Sequence, residues 1–217
     1  MTKSNKCQLM ENALLRILEP KELMAGRSFT NVEHISEDRE VLIYMARQVC
    51  MVLETDIASL QGERPIYVDE PDGRWHRYFI PSPMTLLNAQ KIYVVGFFGQ
   101  KKNEIPSDYL GDLSDRLVER IPSYPEILSY STMALKNGDF SNLVLLSNEE
   151  VKLKWMDGGT HNKAVERSSG YYLSVRINNG VLSDGVLQPD SLCITQVKYC
   201  DYRESPAWKA ERLLSKR

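Results

Sequence analysis

EILSYSTMALKNGDFSNLVLLS, residues 126–147, is the stretch on which the reading of the fold turns. Two strand-like runs flank Lys136-Asn137-Gly138-Asp139. Asn-Gly is the strongest short hairpin signal, because a type I′ turn needs positive φ at both central positions. Upstream, KIYVVGFFGQ (91–100) is a β-rich run, apolar along most of its length. Between the two, Gly111 and Asp112 set up a helix start. Leu113, Leu117, Val118 and Ile121 then share one face at helical spacing until Pro122 and Pro125 end the helix. Downstream, Ser147-x-x-Glu150 reads as a capping box. The helix it opens breaks at Asp157-Gly158-Gly159, restarts with Thr160 as cap, and leads into YYLSVRIN (171–178), a fourth strand.

Strand, helix, strand, turn, strand, helix, strand is the β-α-β-β-α-β order of a ferredoxin-like domain. The sequence therefore predicts an α+β fold, with a ferredoxin-like sheet over residues 86–217. SLCITQVKYCDY (191–202) adds a C-terminal strand, and Ser205-Pro206 opens a short tail helix with proline at its first position. Residues 1–85 read as a helical and hairpin elaboration. Leu9, Leu14, Leu15, Ile17 and Leu18 form a short helical pattern that stops before Pro20. Ser36 is placed as the N-cap of a helix running to Leu60, with Glu37 and Asp38 in its first turn. Its middle, VLIYMARQVCMVLE (41–54), is apolar on nearly every face, which predicts a helix sandwiched between other elements. PIYVD and RWHRYFI, around Glu70-Pro71-Asp72-Gly73, predict a hairpin.

The 217 residues carry a formal charge of −2 and are 42% apolar, ordinary for a soluble globular protein without a basic field for nucleic acid. The basic tail, Arg203, Lys209, Arg212, Lys216 and Arg217, reads as a solvated helix end. Cys7, Cys50, Cys193 and Cys200 make no CxxC pair, so zinc spacing is absent and reduced thiols are implied. On a straight strand Cys193 and Cys200 face opposite sides. The N-terminus lacks the apolar core of a secretory signal, and the longest apolar run, Ile92–Gly99, is too short to span a bilayer as a helix. These features predict a cytoplasmic protein with no membrane span. The sequence contains no GxSxG, Walker A, HExxH or GxGxxG motif. RNA-binding RRM domains share the element order, and Ile92–Phe97 resembles their first-strand signature. FSNLVLLS lacks the matching basic-aromatic pattern, so nucleic acid is not an expected partner.

Trp155-Met156-Asp157-Gly158-Gly159-Thr160-His161-Asn162-Lys163-Ala164 is the segment most suited to chemistry. It breaks a helix with two glycines and places an imidazole in the first turn of the next. Unpaired N–H groups there favour anions and the neutral form of histidine. His161 then serves as metal ligand or proton acceptor, or it only caps or bonds a carbonyl. The stretch from Phe140 to Ile177 resembles the second half of dimeric α+β barrel proteins. These include antibiotic-biosynthesis-monooxygenase-like enzymes, haem-degrading monooxygenases and stress-responsive barrel proteins. The resemblance rests on Leu143–Leu146, Ser147, Trp155, Gly158-Gly159, His161, Ala164 and the strand Tyr171–Ile177. It implies a homodimer with a small-molecule cavity over the sheet and monooxygenase-like activity. It implies either no cofactor or a haem, bound at His161 and Trp155 with His161 as iron ligand.

Tyr172 and Arg176 occupy even positions of the fourth strand and so are placed on one face, where they join His161 as candidate catalytic residues or form a solvent- or dimer-facing pair. In Arg74-Trp75-His76-Arg77-Tyr78, alternation sets Arg74, His76 and Tyr78 against Trp75 and Arg77. Such a strand binds phosphate or a base, or it is a hairpin edge kept soluble by charge. The broad apolar faces of IYVVGFF and LVLL need cover, from a second copy or from the N-terminal helix of the same chain. A non-catalytic interaction module that docks through its helical N-terminus is the competing functional reading.

Overall fold

The hairpin at residues 126–147 forms as its sequence dictates. A computed structural model describes residues 15–56, 64–105, 118–151 and 168–214. Strands β5 (Ile127–Ala134) and β6 (Phe140–Leu146) pair antiparallel, and Gly138 closes the turn at φ 81°. Seven other strands join them: β1 (Leu15–Ile17), β2 (Ile66–Asp69), β3 (Trp75–Phe79), β4 (Ile92–Lys101), β7 (Tyr172–Leu182), β8 (Leu192–Asp201) and β9 (Trp208–Leu213). They make one sheet in the order β1-β9-β8-β7-β4-β6-β5-β3-β2. Among the described residues only the β1–β9 pairing is parallel. With helices α1 (Glu33–Asp56) and α2 (Pro83–Asn88), the chain is α+β. The sheet is wider than the ferredoxin-like sheet plus one strand that the sequence predicts. Strands from both sides of residue 85 enter the same sheet and the same core.

Three local expectations are corrected. Leu15–Ile17 is an edge strand, not part of a helix, because β9 offers it a partner: Leu18 N–H donates to Glu211 O at 2.8 Å. The tail after Pro206 is likewise strand β9, not a helix. Arg212 is its anchor, fully buried and hydrogen-bonded to Tyr199 Oη at 2.6 Å and to the carbonyls of Glu19, Glu22 and Thr30. Tertiary pairing here overrides the helical propensity of Lys-Ala-Glu-Arg-Leu-Leu. The basic tail is therefore not simply a solvated helix end. Third, the turn bond after β6 comes from Asn148, whose Oδ1 accepts Val151 N–H at 3.2 Å, and not from Ser147. The bodies of both crossover helices expected from the sequence lie outside the described residues.

Helix α1 starts at Glu33, one turn before the expected cap at Ser36. It packs on one face of the sheet. Leu42, Ile43, Met45, Ala46, Val49 and Leu53 share a core with Val94, Phe98, Leu143 and Leu145. A Cβ added at Gly96 would sit 2.5 Å from Leu42 Cδ1, so glycine is what lets α1 approach β4 this closely. The apolar face expected to need cover is thus covered within the chain. The opposite face carries two smaller clusters, around Ile121, Tyr130 and Leu146 and around Phe140, Tyr172 and Val175.

Bulges break the simple alternation. Between Asn179 and Gly180 the partners on β8 skip from Gln196 to Ile194. Cys193 and Cys200 therefore oppose Val181 and Val175 and lie on one face, not two as on a straight strand. Cys50, Cys193 and Cys200 are free thiols.

Candidate functional site

Strand β3 lies inside the sheet, between β5 and β2, so RWHRYFI is not a solvated edge. His76, Arg77 and Tyr78 are all buried. The alternation itself holds as read: His76 and Tyr78 face α1, whereas Arg77 and Trp75 face the other way, against Thr132 and Phe140.

The α1 side of β3 builds a polar network in an apolar setting. His76 Nδ1 lies 2.9 Å from Glu70 Oε1 and 2.7 Å from Tyr78 Oη. Tyr44, from α1, donates its hydroxyl to Glu70 Oε2. Glu70 sits in the β2–β3 turn, whose backbone bonds from Glu70 N–H to Arg74 O and from Gly73 N–H to Glu70 O fix its position. Burial lowers the His76 pKa from 6.5 to about 4, against the opposing pull of Glu70, so the ring is neutral at pH 7. Burial and the Glu70 carboxylate together push Tyr44 up to about 12. Nδ1 faces both the Glu70 carboxylate, which accepts, and the Tyr78 hydroxyl, which donates or accepts. Nε2 is buried and has no hydrogen-bond partner among the described residues. A carboxylate-oriented imidazole with a free Nε2 is the arrangement used to accept a proton, accept a hydrogen bond or bind a metal. No group of three or more His, Cys, Asp or Glu side chains is placed to hold a metal ion among the described residues.

The floor near His76 continues the pattern. Register sets His76 opposite Met133, Met133 opposite Ser141, and Ser141 opposite Phe98; Tyr78 stands opposite Ser131. Ser131 and Ser141 are fully buried, and neither hydroxyl has a partner among the described residues. Buried polar atoms are ordinarily satisfied, so three such atoms on one patch of sheet call for an explanation.

Of the residues singled out from sequence, Tyr172 and Arg176 face opposite sides of the sheet. His161 and Trp155 lie outside the described residues, and the haem expectation lies there with them. Arg176 faces α1: its Nε and Nη2 donate to Asp38 Oδ2 and Oδ1 at 2.8 and 2.7 Å, and Asn178 adds a third bond of 2.8 Å to Oδ2. Burial opposes the Arg176 charge, but the Asp38 carboxylate outweighs it and raises the pKa above its ordinary value. Arg176 is therefore committed to holding α1 on the sheet. Tyr172 faces the other way. Its ring meets Phe97 at 5.3 Å, whereas Arg176 lies over Phe98 at 5.6 Å, and successive residues of β4 point to opposite faces. The cause is a bulge: one step from Gln100 to Lys101 matches two steps along β7, from Ser174 to Tyr172. Burial raises the Tyr172 hydroxyl pKa, which makes it a poor proton donor.

Sequence reasoning weighed His76 as part of a strand that binds phosphate or a base, or of an edge kept soluble by charge, and passed over Glu70 and Tyr44. Glu70 looked like turn chemistry and Tyr44 like one more member of an apolar helix. The available signal was two polar residues, His76 and Tyr78, on one side of a strand immediately after a turn carboxylate. No protein-family model matches the chain, and no curated protein does. Among the described residues no helix is long and apolar enough to cross a membrane.

Proposed function

We propose that this chain is a small-molecule-binding protein whose site lies between α1 and the sheet, at His76. The observation that carries the reading is the buried, unpartnered Nε2 of an imidazole whose other nitrogen is fixed by Glu70. A ring nitrogen left unpaired in the interior costs free energy unless a partner meets it, and a ligand supplies that partner. The scaffold is read as ferredoxin-like at its centre. Support comes from the run β7-β4-β6-β5, antiparallel throughout, which places the first and third strands of the β-α-β-β-α-β unit in the middle. In this reading α1 stands where a second copy would lie in a dimeric barrel, so the site belongs to one chain. Against the docking reading, most apolar residues of α1 are taken up in the core of its own chain, with Met51 left exposed.

The test is a thermal-shift screen of full-length protein against small organic molecules spanning neutral, anionic and cationic classes, run beside His76→Asn. That variant keeps a donor toward Glu70 and loses Nε2. At least one compound is expected to stabilise the natural chain and not the variant. A screen with no stabilising compound, or with hits that ignore the substitution, contradicts the proposal.

A further inference from the structure

We propose that β2 is a docking edge for a second copy of this chain, the two β2 strands pairing antiparallel about a two-fold axis at Val68. The interaction surface is separate from the site at His76 and does not depend on it.

Strand β2 ends the sheet among the described residues. Its backbone groups divide by position. Glu70 N–H donates to Arg74 O at 2.7 Å, so those two facing residues form a hydrogen-bonded pair. Such pairs alternate along an antiparallel ladder, which makes Val68–His76 and Ile66–Tyr78 bonded pairs as well. Tyr67 and Asp69 therefore turn their N–H and C=O groups outward, away from β3. The next positions of that parity are Pro65 and Pro71, and neither has an N–H to offer. The open ladder is bounded at both ends and consists of Tyr67 and Asp69.

Those two residues lie symmetrically about Val68, so the strand is complementary to itself. A second β2, turned about the two-fold axis, sets its Asp69 against Tyr67 and its Tyr67 against Asp69. Each pair then exchanges both N–H···O bonds. Side chains and charge agree with that register. Val68, 37% exposed, meets Val68 of the second copy on the α1 face, and Tyr67, 63% exposed, flanks the seam on the other face. Arg64 is exposed just before the strand, whereas Asp69 and Asp72 lie at its far end. Antiparallel pairing brings each copy's Arg64 to the carboxylate end of the other. A longer foreign strand gains no further ladder, because the prolines stop it. The two-fold contact also closes on itself, so it yields a dimer and no filament. Two strands of this length make a small interface, with an affinity of about micromolar or weaker.

Sedimentation velocity of the full-length chain, from about 1 to about 300 μM, is compared with that of Val68→Lys and Tyr67→Pro. The first variant sets two ammonium groups against each other across the axis. The second removes an outward N–H and no bond to β3. The natural chain is expected to dimerise in this range, and each variant to weaken the dimer about tenfold or more with far-UV circular dichroism unchanged. Under mild oxidant, Val68→Cys is expected to link two chains faster than Tyr67→Cys, whose partner sulfur stands out of register. A natural chain that stays monomeric at the highest concentration overturns the inference, and leaves β2 guarded by its prolines or open to a peptide of another protein. A dimer that survives both substitutions overturns it too, as does one in which Val68→Cys links no faster than Tyr67→Cys. Should either of the first two variants unfold, the cysteine comparison decides.

Discussion

Acid should destabilise this protein through His76 in a way that one substitution removes. The ordinary histidine pKa of 6.5 falls to about 4 in the folded chain, with burial the leading cause. Because the folded value is depressed, the unfolded chain binds the proton first as pH falls. The His76 contribution is therefore fully present above pH 6.5 and is lost as pH drops toward 4. One pH unit of pKa difference is worth about 1.4 kcal/mol, so the gap amounts to about 3 kcal/mol at pH 4. Carboxylates titrate in part of the same window, which makes the difference between two proteins the useful quantity. Urea unfolding of the natural chain and of His76→Asn is to be measured at half-unit steps from pH 7 to 4. The natural chain is expected to lose about 3 kcal/mol more than the variant over that range, with most of the divergence below pH 6. Parallel curves would refute the reasoning, since they would mean that His76 is as easily protonated folded as unfolded.

The seating of α1 makes further predictions. Gly96→Ala forces a methyl against Leu42 and should cost about 1–3 kcal/mol. Combining it with Leu42→Ala should cost less than the two single changes added together, as read by urea unfolding. Arg176→Ala leaves the Asp38 carboxylate buried beside Asn178 alone and should cost about 3–5 kcal/mol, whereas Arg176→Ala with Asp38→Ala should recover part of that loss. Arg212→Met strips the Tyr199 hydroxyl and three carbonyls of their donor. It should lower stability by about 3 kcal/mol. Hydrogen exchange at the Leu18 amide, which bonds to Glu211 O, should then become faster than exchange in β4.

The centre of the fold was legible because its signals are local. Asn137-Gly138 marks the turn, which closes as a three-residue loop, Lys136–Gly138, with positive φ at Gly138 alone, and the runs beside it have strand composition, so β5 and β6 follow from neighbours in sequence. The apolar character of residues 41–54 likewise announced a helix enclosed by other elements, as α1 is. The two chain ends were misread because their structure is made by distant partners. Leu15–Ile17 and Trp208–Leu213 become strands by pairing with each other and with β8, and nothing in either segment alone announces it. The site was obscured for a related reason. The bulge at Gln100/Lys101 inverts alternation between Ser174 and Tyr172 without any local glycine-proline signature on β7, so Tyr172 and Arg176 were placed together and stand apart. His76 and Arg77 looked solvated because charged and imidazole side chains usually are; their burial comes from β2, β5 and α1 closing around β3.

The account turns on the protonation of one ring. Long-range 1H–15N correlation of His76 in the ligand-free protein, recorded at pH 7 and pH 5, reads it directly. The structure predicts a neutral imidazole at both values. A ring already charged at pH 5 would contradict it.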